Sequence, residues 1–246
     1  MQQSDRGKIE LFNDFFGGSE TLALTTDTAQ LGDFFAGGEG FEDNDAGVAG
    51  KDALSGVVTL TSGDTNADTT FIGTHIGFRA DLMGSLVLET RVQLGSVAAR
   101  ETYFGLTSIL SVDEQLEDIV INSNSTTIST PAELAGFYMS NELTTVSGDW
   151  HAIHNGGSTT GTTTTTGDAQ LNNAATTGEW QVLRLEVDTN GTVRWYIDGV
   201  IKRTVTNAVS TSTNMAAVLA TAANSGAAGA VDCDYILVQA NRDWTV

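Results

Sequence analysis

The sequence predicts an all-β fold, a two-sheet antiparallel β-sandwich with jelly-roll topology. Three observations carry this expectation. Short runs that alternate apolar and polar residues recur at the spacing of a sandwich. Glycine is abundant at 27 while proline is limited to Pro131, so turns fall to Gly, Asn and Asp. No segment sustains helical periodicity. The alternating runs imply about a dozen strands, more than an immunoglobulin-like domain needs and suited to a jelly roll.

In chain order, residues 54–61 form the first clear strand, followed by 70–78. Residues 85–94 alternate cleanly: Leu86, Leu88, Thr90, Val92 and Leu94 face one way, and Val87, Glu89, Arg91 and Gln93 the other. Residues 102–110 follow, then a short helical turn at 111–117 and strands at 118–122, 135–140 and 149–154. Residues 180–188 and 192–198 read as a hairpin across Asn190-Gly191, which supplies the positive φ angles of a tight turn. Asp198-Gly199 turns the chain again into 200–205, and 215–220 and 231–240 complete the set. Each hairpin strand shows one apolar row: Leu183, Leu185 and Val187, then Val193, Trp195 and Ile197. The chain reads as a single domain over 1–246, with an N-terminal arm at 1–8 and a long Thr-rich loop at 155–178. Residues 37–50 are acidic and glycine-rich but too short to link two domains.

The net charge is −20, the pI is near 4.1, and only 11 residues are Lys or Arg. Those cations are scattered, which argues against nucleic acid, because affinity for phosphates comes from clustered positive charge. No apolar run approaches the length of a membrane span, the nearest being residues 215–223. The first residues lack the apolar core of a signal peptide, so synthesis in a cytoplasm is expected. Cys233 is the single cysteine. It excludes a disulfide framework within the chain and reads as a small buried hydrophobe.

The pattern from Trp180 through Asn190-Gly191 to Trp195-Tyr196-Ile197-Asp198-Gly199 resembles the late hairpin of concanavalin A-like lectin and glucanase domains, laminin G-like members included. The segment from Val231 through Asp232, Asp234 and Tyr235 to Val238 resembles their closing strand. Leu86, Glu89, Arg91 and Val92 resemble an earlier strand, and Glu10, Asp14 and Phe15 the opening segment. Together with Ala240 and Arg242 the ending also resembles single-domain proteins of tailed-bacteriophage particles.

Glycosidases of the resembled fold carry a Glu-x-Asp-x-x-Glu strand whose carboxylates act as nucleophile and general acid. The nearest match here is Glu186-Val-Asp188, where Gly191 replaces the last acid. No catalytic residue is assigned, and the chain is expected not to be an enzyme. The acidic run 113–118 reads as a solvated turn. His151 and His154 are three apart in a strand and point to opposite faces, which argues against a shared zinc. No cofactor is assigned. Calcium stays open, because Asp232 and Asp234 resemble the family's closing-strand acid, whereas residues 42–47 read as an acidic turn. The sequons at Asn124 and Asn190 carry little weight without a secretory signal.

The resemblance implies a non-enzymatic structural protein of a phage virion, a capsid decoration or minor head protein on the capsid exterior. Its partners would be the major capsid protein or other virion proteins, and it would form a homo-oligomer, a trimer suiting lattice symmetry points. Strong acidity suits a place outside packaged DNA. The alternative is a lectin-like, carbohydrate-binding module for host-surface glycans, with Trp195, Tyr196 or Trp150 meeting the sugar.

Overall fold

The computed structural model describes residues 7–16, 28–42, 46–98, 100–122, 126–224 and 226–242. The elements, in order, are β1 Lys8–Asn13, β2 Ala29–Leu31, β3 Phe34–Gly37, β4 Gly47–Gly50, β5 Val58–Thr61, β6 Thr69–Gly73, α1 Ala80–Met83, β7 Leu86–Leu94 and β8 Arg100–Thr107. They continue as α2 Leu116–Ile119, β9 Thr127–Ser129, β10 Leu134–Ser140, β11 Asp149–Asn155, β12 Thr163–Thr165, α3 Thr166–Ala169 and β13 Gln170–Ala174. The last are β14 Trp180–Val187, β15 Val193–Ile197, β16 Val200–Val205, β17 Ala216–Ala223 and β18 Ala230–Asn241.

The first sheet runs β16-β15-β14-β7-β18-β5-β4, with β1 paired to the second half of β18. The second runs β13-β11-β10-β8-β17-β6-β3-β2, and every pairing in both is antiparallel. The expected sandwich is therefore what the chain forms. The alternation seen in the sequence is the burial pattern of β7, β14 and β15, each with one buried and one half-buried face.

The core lies between the sheets. Leu86, Leu88, Leu183, Leu185, Val187 and Ile197 of the first sheet meet Phe104, Leu106, Phe137, Ala152 and Leu219 of the second. Trp150 and Trp195 are both fully buried there. Each satisfies its indole N–H, as a buried tryptophan must. Trp150 Nε1 donates to Gln181 Oε1 at 2.9 Å, and Trp195 Nε1 to the Gly136 carbonyl at 2.8 Å. Cys233 joins this core, and burial pushes its thiol up to about 12.

The turns sharpen the hairpin expectation. Asp198 and Gly199 both have positive φ, 51° and 75°, which is the type I′ geometry that matches strand twist. At the other turn only Gly191 does, at 75°. Asn190 instead accepts the Thr192 N–H through its side chain, so 188–192 is a wider loop than a two-residue turn.

Three expectations are corrected. Residues 118–122 are not a strand. Leu116, Ile119 and Val120 are buried at helical spacing, and that burial selects the turn α2. The helical turn expected at 111–117 thus sits a few residues later. The Thr-rich stretch is not simply a loop. It holds β12, which pairs with β9, then α3 and β13, and Thr165 caps α3 by accepting from the Asp168 N–H. β-branched threonines favour such extended pairing. Most of the N-terminal arm, the sequon at Asn124 and Asp43 to Asp45 lie outside the described residues.

Candidate functional site

The two sheets present very different outer faces. That of the second sheet is a second core. Phe71, Tyr103, Leu134, Tyr138, Ile153, Val218 and Ala220 project from it, and Leu116, Ile119, Val120, Ile128 and Ala132 of the β8–β10 connection cover them. Close backbone approach permits this packing. Gly105 and Gly136 face each other across β8 and β10, and a Cβ on Gly136 would lie 2.6 Å from the Phe104 carbonyl oxygen.

Beneath the cover lies a polar cluster. Glu101 is only 4% exposed. Tyr138 Oη donates to its Oε2 at 2.8 Å, and Asn122 Nδ2 donates to its Oε1 at 2.6 Å. Asn122 also reaches Tyr138 Oη and Ser140 Oγ. Burial pushes the Glu101 carboxyl up to about 7, against the pull of the Tyr138 and Asn122 bonds and with the charges of Glu142 and Glu117 adding to it. Burial also raises Glu142, with Glu117 contributing. In the next strand His151 is fully buried, and loss of solvent lowers its pKa. Glu101 therefore has the proton affinity of a general acid, yet it faces Asn122 and Ser140 rather than solvent.

The first sheet's outer face is open. Across it run registered rows of large side chains, most of them polar or aromatic. One row is Tyr196, Arg184, Glu89, Leu237 and Phe12 on β15, β14, β7, β18 and β1. Glu89 Oε1 accepts from Tyr235 Oη at 2.8 Å and its Oε2 from Arg184 at 3.1 Å. Glu186 accepts from Arg184 and from Tyr196 Oη. The Arg91 guanidinium lies 4.7 Å over the Trp180 ring and donates to Asp234 at 2.7 Å. Trp180, Tyr196 and Tyr235 are each half-buried, with their orientation fixed by these partners. Bonding to carboxylates raises the Tyr196 and Tyr235 pKa values further, after loss of solvent, the largest cause in both.

The expected site residues separate accordingly. Trp150 and Trp195 are core residues with no exposed surface, because the inward parity of their strands carries them between the sheets. Tyr196 is the one of the three that reaches a surface. Glu186 and Asp188 are held in ion pairs, Glu186 with Arg184 and Asp188 with Arg194 at 2.7 Å. Arg194 holds the Asp188 carboxyl below its ordinary range. Asp232 and Asp234 are occupied by Lys51 and Arg91, with Thr59 on Asp232 as well. Among the described residues no group of three His, Cys, Asp or Glu side chains is placed to hold a metal. His151 and His154 do face opposite ways, His154 lying 6.2 Å from Trp195 on the core side.

Sequence reasoning missed Glu101. Its strand β8 is buried on both faces, so no alternation marks which side a residue serves. The open face was legible as Glu89, Arg91 and Gln93 opposite the apolar row of β7.

No protein-family model and no curated protein sequence matches the chain. Solved structures do. One, from work on endo-acting O-glycanases that human gut bacteria use in mucin breakdown, superposes with TM-score 0.60 at 11% identity, over 95% of this chain and 99% of that one. The carbohydrate recognition domain of Emp47p gives TM-score 0.57 at 10% identity over 90% and 94%. A Bacillus licheniformis β-glucanase gives 0.52 at 11% over 95% and 98%. The fold is the concanavalin A-like jelly roll. At such identities the likeness establishes architecture and leaves function to the chain's own surfaces.

Proposed function

We propose that this chain is a non-catalytic carbohydrate-binding module that takes glycans on the open face of its first sheet. The observation that carries this reading is the set of half-buried rings of Trp180, Tyr196 and Tyr235, held by Arg91, Glu186 and Glu89. Sugar recognition needs flat apolar rings for the C–H faces and rigid planar donors and acceptors for the hydroxyls. The rows supply both with little ordering on binding. The fold likeness to a carbohydrate recognition domain and to glycanases supports this reading over the virion one, which rests on sequence resemblance alone. The non-catalytic part is supported by the ion-paired Glu186 and Asp188 and by the covered Glu101.

A glycan array followed by titration calorimetry tests it. A binder is expected whose affinity falls at least tenfold in Trp180→Ala and in Tyr196→Ala. An array without binders, or a binder indifferent to both changes, overturns the location or the role. Release of reducing ends from laminarin would overturn the non-catalytic part.

A further inference from the structure

A cavity of about 400 Å³ opens beside α1, within the size range of small-molecule sites. Its lining is part apolar and part polar. Ile9 of β1 with Leu82 and Met83 of α1 form the apolar part. Arg79, Arg242 and Asn214 supply the polar part. Two of the chain's 11 cationic residues thus meet in one cavity of a protein carrying −20 overall.

Their states differ. Arg79 is committed through Nε and Nη2 to Asp81, at 2.7 and 2.9 Å. The side chain of Arg242 is exposed, and among the described residues its one bond is the backbone N–H to the Gly7 carbonyl. The other arginines of the described residues face acids or carbonyls: Arg91, Arg184 and Arg194 carboxylates, Arg100 and Arg203 main-chain oxygens. Asp81 offsets Arg79, so among the described lining residues the unmatched positive charge is that of Arg242, whose planar fork matches a carboxylate in two-point contact.

We infer that this cavity is a second binding site, for a small organic carboxylate with a partly apolar body, such as a sugar acid. The carboxylate meets Arg242, the exposed Asn214 amide donates to a neighbouring oxygen, and the ligand body lies on Ile9, Leu82 and Met83. A compact inorganic anion satisfies only the first contact, and a neutral sugar lacks it. The site is independent of the open sheet face.

Calorimetry at low ionic strength tests this, with D-glucuronate as the probe, D-glucose as its neutral counterpart and inorganic phosphate as the compact anion. Glucuronate is expected to bind at least tenfold more tightly than either, and to weaken as salt is added. Arg242→Gln should reduce glucuronate binding at least tenfold. Asn214→Asp, an exposed change that brings a negative charge to the rim without altering packing, should do the same. Trp180→Ala should leave it unchanged, which separates this site from the glycan face. Equal binding of phosphate, absence of glucuronate binding at millimolar concentration, or binding that survives Arg242→Gln and Asn214→Asp would each overturn the inference.

Discussion

Tyr138 donates its phenolic hydrogen to Glu101 at 2.8 Å, and the pair sits where solvent does not reach. That relationship makes stability depend on pH. The carboxyl holds its proton in the folded chain up to about 7, against 4.5 as the ordinary value. A raised carboxyl pKa means the folded state binds the proton more tightly than the unfolded one. Its contribution is complete below about 4.5, is lost as pH rises toward 7, and stays lost above. The difference is on the order of 3 kcal/mol.

Glu101→Gln should abolish that component, because the amide keeps an acceptor for Tyr138 and cannot ionise. Urea midpoints at pH 4.5 and pH 8, compared between the parent chain and the variant, check it. The variant's gain in stability relative to the parent should grow with pH. A constant difference would refute the assignment.

Trp195→Phe should destabilise the chain by about 2–4 kcal/mol, since it opens a void between the sheets and removes the indole bond to the Gly136 carbonyl. Chemical denaturation should show a lower midpoint with an unchanged slope. A shift below half a kcal/mol would mean that the indole bond and packing contribute little.

Gly136→Ala should cost about 2–3 kcal/mol, because the added methyl presses on Tyr103 and the Phe104 carbonyl across a registered strand pair. Gly95→Ala is the matched control. A Cβ there meets no atom within 4 Å, and it should change stability by less than about 0.5 kcal/mol. Thermal melts of both variants give the comparison.

Cys233 should resist thiol reagents in the native state. Its thiol is buried and pushed up to about 12, so thiolate is scarce and access closed. Labelling at pH 8 should proceed at the rate of unfolding and accelerate with urea. Prompt stoichiometric labelling without denaturant would contradict the burial.

What could be read from the chain depended on how many faces of each strand are buried. β7, β14 and β15 bury one face, and their alternation gave strand, register parity and the exposed row of Glu89 and Arg91. β8, β10 and β17 are buried throughout, so the sequence there carries no marker of side. Glu101 and the second core were hidden for that reason. β2, β9 and β12 are only three residues long, too short for a period to show. Trp150 and Trp195 illustrate the remaining gap. Residue type alone makes them ligand candidates, while the parity of β11 and β15 sends them inward.

The position of β18 sets how the chain can fold. It is hydrogen-bonded to β7 and β5, and Lys8 of β1 pairs with its Asn241. These partners lie far away in sequence, so loop-closure entropy must be met before the pairing returns any stability. A ribosome releases β5 and β7 long before the strand that belongs between them. Until β18 arrives, two exposed strand edges wait side by side, unable to complete the sheet. This predicts slow, late closure of the first sheet, and a nascent chain that relies on chaperones or on its acidity to stay unaggregated.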